Sequence, residues 1–379
     1  MSRRAIAVEF DLVSALGPDA ETTWGALVTG QSGVRPFARF PAGPARPSNA
    51  AFVDGLEPGH GDTLVVQMLR PVLERHRHAI PSDAQLLLAT TNGEIEYLER
   101  AVAGEPASAK DSVPTVLATK VQALVGLERP GVVVSAACAS STVAIAEGAA
   151  MIRAGEAESV LIVACDFVSE FVAAGFRSLG ALAPDRARPF DRDRRGLSLG
   201  EAAGFLLLMD EHRARAEART CHAEIAGWGV SSDADHITAP SATGQGLATA
   251  IRKALATASV DPRNVGSICA HGTGTRPNDA MELQAFARVF ADAVPTYSVK
   301  GAVGHTMGTA GLVDAIVAVQ SLTVGTAPPT AGLLEPDTDA LTWVSASPQS
   351  CSPMVALSTN SGFGGVNSAL VLRRCEAPR

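Results

Sequence analysis

The chain has 379 residues, 46% of them hydrophobic and 18% charged, a globular composition that excludes disorder as the main state and offers length for two domains or two fused halves. A net charge of −8 leaves no global basic field to attract nucleic acid or anionic lipid. Aromatic residues are only 4%, so the interior must be filled by Ala, Val, Leu and Ile, which suits helices packed on β-sheet, an α/β fold.

From the N-terminus, Arg3 and Arg4 precede an apolar run that Glu9 and Asp11 interrupt, and nowhere do 18 apolar residues run together. A chain neither exported nor membrane-spanning is expected, located in the cytoplasm. Apolar, β-branched runs at 84–89, 131–134, 160–164 and 354–357 alternate with Ala- and Leu-rich helical stretches, which predicts a mainly parallel sheet covered by helices. Segment 101–112 reads as a loop, and 376–379 as a frayed tail. The charged helical run 210–219 ends before a strand-like start at 222–225, so the division is placed between an N-terminal half, 1–219, and a C-terminal half, 220–379. The six cysteines include no CxxC pair, which predicts reduced thiols rather than disulfides or a zinc site.

Segment 131–155 carries the strongest chemical signal: a buried-type strand, a small-residue turn, then a helix whose start holds Cys138 followed by Ala139, Ser140, Ser141 and Thr142. Free backbone N–H groups and the positive end of the helix dipole would favour thiolate there, so Cys138 is expected to be a nucleophile of lowered pKa. The competing reading is one more buried cysteine. Ala144, Ile145, Gly148 and Ile152 make the helix small and apolar nearly all round, which predicts burial at the protein's centre.

Three further apolar runs end in chemically capable residues: 267–270 leads into His271-Gly-Thr273-Gly-Thr275, 296–299 into Lys300-Gly-Ala-Val-Gly-His305, and 354–359 into Asn360-Ser-Gly-Phe363-Gly364-Gly365. Ligands of open α/β sheets bind outside the carboxyl ends of strands, so these four loops are expected to converge. The glycines admit close backbone approach, Thr273 and Thr275 offer hydroxyls, and one cysteine with two strand-end histidines fits acyl-thioester chemistry. Lys300 alone reads equally as a solvated charge, and Asp314 on the next helix is placed to pair with it. Gly196-Leu-Ser198-Leu-Gly200 matches a nucleophile elbow literally but follows the polar run 191–195 instead of a strand. Asp191, Asp193 and Gly196 imitate a calcium loop, with Arg195 at a ligand position; no metal and no cofactor is expected.

Taken together, Ser135-Ala-Ala-Cys138-Ala-Ser-Ser, Arg188-Pro-Phe-Asp191, Gly200-Glu201, the run 231–240, His271-Gly-Thr-Gly-Thr275, Lys300 with His305, and the run 360–367 resemble the elongating β-ketoacyl-acyl carrier protein synthase family, in the family's order from Arg3 to about Leu372. The resemblance implies a thiolase fold, a five-layer α/β/α/β/α sandwich of two similar halves, working as a dimer. It implies that Cys138 accepts an acyl group from acyl carrier protein, and that His271 and His305 polarise a malonyl thioester and promote loss of CO2, giving an enolate that attacks the Cys138 thioester. Backbone N–H groups of Cys138 and Phe363 would form the oxyanion hole, Phe363 would act as gatekeeper, and Lys300 with Asp314 would set the field near His305. Thr273, Thr275, Asn360 and Gly364 are expected to contact substrate.

Asp314 stands where the family usually has Glu, Ala202 where it has Gly, and Ser361 where Phe is common. With a short span between Thr91 and Cys138, these departures suit type II polyketide or polyene synthesis, with a homodimer or a related chain-length-factor subunit as partner. An acidic carrier protein would need a local basic patch, and Arg186, Arg188, Arg192, Arg194 and Arg195 form the densest one; in the competing reading several of them pair with Asp185, Asp191 and Asp193. Two other functions remain at this stage: an acyltransferase of the same fold that passes the chain to an alcohol or amine, and a non-catalytic subunit of a synthase complex.

Overall fold

The computed structural model describes residues 3–40, 47–59, 61–352 and 354–375; the tail expected at 376–379 lies outside them. The large sheet has ten strands: β1 (Ala5–Ser14), β2 (Gln85–Ala89), β3 (Val132–Val134), β4 (Ser159–Asp166), β5 (Ala202–Asp210), β6 (Ala223–Ser232), β7 (Ser267–Cys269), β8 (Thr296–Tyr297), β9 (Val355–Gly362) and β10 (Val366–Arg374). Its spatial order is β8-β7-β9-β10-β6-β1-β5-β4-β2-β3. Read outward from the centre, the first five strands and the last five follow the same order, with the same sequence of antiparallel and parallel pairings. The two first strands, β1 and β6, pair antiparallel and join the repeats.

The expected mainly parallel sheet is corrected to a mixed one: among the described residues, five of its nine pairings are antiparallel. Parallel neighbours require a crossover, whereas β9 returns directly as β10 through the turn at 363–365. Side-chain alternation builds the layers. Along β4, Val160, Ile162 and Ala164 face one core while Leu161, Val163 and Cys165 face another. The first core surrounds two central helices, α3 (Ser140–Ala154) and α7 (Ala310–Val324). The second lies under α1 (Leu64–His76) and α2 (Pro114–Val125), and a third under α5 (Gln245–Ala258) and α6 (Arg276–Ala287). Helix, sheet, helix, sheet, helix are the five layers of the thiolase fold. Strands covered on both faces read as continuous apolar runs, as β4 and β5 do, with every residue buried.

Met307–Val324, which includes α7, is long and apolar enough to cross a membrane, but 83% of it is buried inside the fold. The expectation of reduced cysteines fails at one pair, because Cys221 and Cys375 form a disulfide. Ala223 pairs with Arg374 in the sheet, so the residues just beyond bring their Cα atoms to 6.0 Å, within bridging reach. They lie 154 residues apart in sequence, and no local spacing signals the pairing.

Candidate active site

Cys138 follows β3 and precedes the first residue of α3 by two, on a turn where Ala137 takes φ +50°. The turn lifts the thiol into a cavity of about 530 Å³, also lined by His271, His305, Thr273, Thr275 and Phe363. Both repeats deliver loops to it. His271 follows β7, and His305 is set by Gly304, whose φ of +69° and close approach to Leu199 O leave no room for a side chain. His305 Nε2 lies 3.0 Å from Cys138 Sγ. The two imidazoles meet edge to face with centroids 5.3 Å apart, and the three functional atoms lie within 4.8 Å of one another.

Hydrogen bonds behind the rings place their protons. His305 Nδ1 accepts the Met307 N–H at 3.2 Å, so the neutral ring carries its proton on Nε2 and donates toward the sulfur. His271 Nδ1 faces Asn360 Nδ2 at 3.2 Å, which again leaves the proton on Nε2. Cysteine and histidine are metal-ligating types, but a cation on either Nε2 would need the ring proton on Nδ1, against the N–H groups of Met307 and Asn360. The donor set therefore suits an oxygen or sulfur anion, not a metal.

Burial, then the nearby Lys300 charge, drives His305 down to about 3, and the same two causes with His305 itself hold His271 well below the usual histidine range. Both rings are neutral at pH 7. The lowered thiol pKa expected from the helix terminus is not found. Burial pushes Cys138 up to about 11, outweighing the opposing pull of Lys300 and of the Phe363 and Cys138 backbone N–H groups. Those two N–H groups nevertheless both act on the sulfur.

Lys300 is not solvated. It is buried with its Nζ 3.0 Å from Asp314 Oδ2, and burial raises the Asp314 carboxyl against the lysine's pull. Asn360 and Gly364 do not line the cavity: Asn360 is fully buried behind His271, and the Gly364 N–H donates to Ile237 O at 2.7 Å. The arginine cluster is mostly paired. Arg188 and Arg195 reach Asp185, but Arg192 pairs with Glu335, and Arg194 is buried between Asp279 and Asp337. Asp191 instead accepts the backbone N–H groups of Leu334 and Glu335.

Several contributors escaped the sequence reading. Glu282 accepts the backbone N–H groups of His271 and Gly272 at 2.7 and 2.6 Å, and burial beside Asp279 pushes its carboxyl up to about 8. Asp279 holds Thr273 and Gly274, and Asp166 holds Gly308 beyond His305. Asn278, Asp279 and Glu282 share one face of α6 and are all buried; acids at that spacing among apolar neighbours were the available signal. Phe176, on α4 (Glu170–Ser178), stands 6.2 Å from His305 and 5.6 Å from Phe363, ring to ring.

Two families of known proteins match most of the chain. The β-ketoacyl synthase N-terminal domain family matches residues 79–214, and the β-ketoacyl synthase C-terminal domain family matches 222–334. The chain belongs to the β-ketoacyl synthase family. Relatives of this β-ketoacyl synthase include an oxytetracycline polyketide putative β-ketoacyl synthase of Streptomyces rimosus, 30% identical over 98% of this chain and 97% of that one. A 3-oxoacyl-[acyl-carrier-protein] synthase 2 of Vibrio cholerae is 28% identical over 98% and 99%. Nodulation protein E of Rhizobium sp. (strain N33) is 37% identical over 69% of this chain, a match that spans 66% of that protein. Among solved structures, the ishigamide ketosynthase/chain length factor superposes with a TM-score of 0.90 at 31% identity, covering 99% of this chain and all of that one.

Proposed function

We propose that this synthase-family chain catalyses the decarboxylative condensation of a Cys138-bound acyl group with malonyl-acyl carrier protein in fatty-acid or type II polyketide assembly. The supporting observation is the pair of Nε2–H donors converging beside one buried sulfur. The Cys138 sulfur attacks the incoming acyl thioester, its proton ending on the departing carrier sulfur, which leaves as a thiol, and an acyl-cysteine remains, while the Cys138 and Phe363 N–H groups take the charge of the tetrahedral oxygen. Malonyl thioester then enters the cavity. His271 and His305 donate to its carbonyl oxygen, CO2 departs with cleavage of the carboxyl C–C bond, and the resulting enolate attacks the acyl carbon. The new C–C bond forms as the cysteine sulfur leaves. Because neither ring offers a lone pair at Nε2, the histidines act as donors to developing anions and not as bases toward the thiol.

The remaining assignments belong to the same proposal. Thr273 and Thr275 contact substrate, Phe363 with Phe176 controls entry, and Lys300 with Asp314 sets the field at the rings. Residues 1–219 and 220–379 are taken as the two units, in keeping with the repeated strand order. Acyl carrier protein is the partner, as the name of the Vibrio cholerae relative implies. The chain works as a dimer with itself or with a chain-length-factor subunit, as the ishigamide structure is titled. A cytoplasmic location is part of this reading.

The test is release of CO2 from malonyl-acyl carrier protein together with intact-mass detection of the acyl adduct. The native protein forms the adduct and releases CO2; Cys138→Ala forms none; His305→Ala still forms it but loses CO2 release by about 100-fold, the scale for removing one anion-stabilising donor. An adduct passed to an alcohol or amine without CO2 would replace this reading with the acyltransferase one, and no adduct at all would leave the non-catalytic subunit.

A further inference from the structure

We infer that Asn360 is a positioning residue of this site: its single amide fixes the His271 proton on Nε2 and couples that ring to the Lys300–Asp314 pair and to the nucleophile's helix. The inference rests on the condensing reading and deepens it. Asn360 lies on β9, fully buried and off the cavity wall, so it cannot bind substrate directly. A primary amide has two N–H donors and one carbonyl acceptor, and all are used. Oδ1 accepts the Thr142 hydroxyl at 2.6 Å, and Nδ2 reaches Asp314 Oδ2 at 2.8 Å and His271 Nδ1 at 3.2 Å.

The orientation of the amide decides what His271 can do. Reversing it would set the amide oxygen against Asp314 Oδ2, an oxygen already occupied as an acceptor by Lys300 Nζ at 3.0 Å. The buried ion pair therefore dictates the amide's direction, the amide dictates the tautomer, and the tautomer dictates that an N–H, not a lone pair, meets the malonyl carbonyl oxygen. A ring with its proton on Nδ1 would repel that oxygen. Thr142, on α3 four residues after Cys138, anchors the other end of the amide and so registers the ring against the nucleophile's helix. Acyl loading of Cys138 uses the backbone N–H groups of Cys138 and Phe363, so it is the decarboxylating half of the cycle that depends on Asn360.

The decisive measurement is 15N NMR of the full protein labelled at histidine, with the His271 signals identified by their loss in His271→Gln. We expect Nε2 protonated and Nδ1 bare in the native protein. In Asn360→Asp an oxygen replaces Nδ2 beside His271 Nδ1, the ring donates to it, and the tautomer reverses. CO2 release then falls about 100-fold, while acyl loading of Cys138 by intact mass stays within about threefold. A His271 proton on Nδ1 in the native protein overturns the inference whether or not any variant folds. So does equal loss of loading and CO2 release in an Asn360→Asp protein that melts like the parent. Native protein that makes the acyl adduct, has the expected tautomer and yet releases no CO2 overturns the condensing reading instead, which keeps the two failures distinct.

Discussion

At the scale of single residues, burial is stronger than the charges and dipoles that surround the reactive sulfur. A thiol at a helix start suggests a thiolate, but Cys138 is held at about 11 because the cavity withdraws water faster than Lys300 and two N–H groups return stabilisation. A raised thiol pKa means that the anionic fraction at pH 7 is small and grows tenfold for each unit of pH. Alkylation of Cys138 by iodoacetamide should therefore climb steadily from pH 7 to 10 in the resting protein, and a plateau near neutrality would show that the helix terminus wins after all. Cys138 should still react before Cys165 and Cys269. The reason is access: Cys138 is 7% exposed and lines the cavity, whereas the other two are completely enclosed and burial holds their thiols well above the usual range. Rate at neutral pH thus reports the path to the sulfur more than its acidity.

Between elements, the close crossing of α3 and α7 joins the nucleophile's helix to the helix that carries Asp314. A Cβ built at Gly311 of α7 would stand 2.0 Å from Thr142 Oγ1 and 2.6 Å from Thr142 N, and Thr142 is the anchor of Asn360. Gly311→Ala should cost about 1–3 kcal/mol by overpacking, read as a lower denaturant midpoint, and should reduce CO2 release more than acyl loading. An unchanged midpoint would mean that the helices are not held this close. Elements such as these were legible because their signals are local. β2, β4 and the helix after Cys138 show as apolar runs and small-residue periodicity, and His271, His305 and Lys300 show as polar residues just past strand ends. What was not legible depends on distant partners. Glu282 and Asp166 matter for the backbone N–H groups they receive from loops brought beside them only by folding, and the role of Asn360 is invisible until Asp314 and His271 flank it. The Cys221–Cys375 disulfide was missed for the same reason, since only the register of β6 on β10 brings the two together.

Across the whole molecule, the repeated strand order leaves two outer strands, β8 and β3, and they differ in what covers them. Thr296 and Tyr297 of β8 are buried, with Thr296 bridging to Val344. β3 presents Val132 half-exposed, with Val133 and Val134 only partly covered, and among the described residues it pairs with β2 on one side alone. An apolar strand with a free edge is an invitation to pair, and soluble proteins usually protect it with charge, proline or a partner. Here it carries none of the first two and leads within four residues to Cys138. A second chain laid along this edge would cover the valines and brace the turn that presents the thiol, which gives the proposed dimer a physical role in the site. Sedimentation of the native chain should accordingly give twice the monomer mass at micromolar concentration, and Val132→Lys should shift it toward monomer by at least about tenfold in dissociation constant, some 1.4 kcal/mol, with the Cys138 adduct forming more slowly in the dissociated protein. If the native chain sediments as a monomer at that concentration, the homodimer is excluded and the edge must be covered by a different subunit, which co-purification with a chain-length-factor-type partner would supply. If Val132→Lys leaves a stable dimer intact, the association runs through another face and β3 is not its seat.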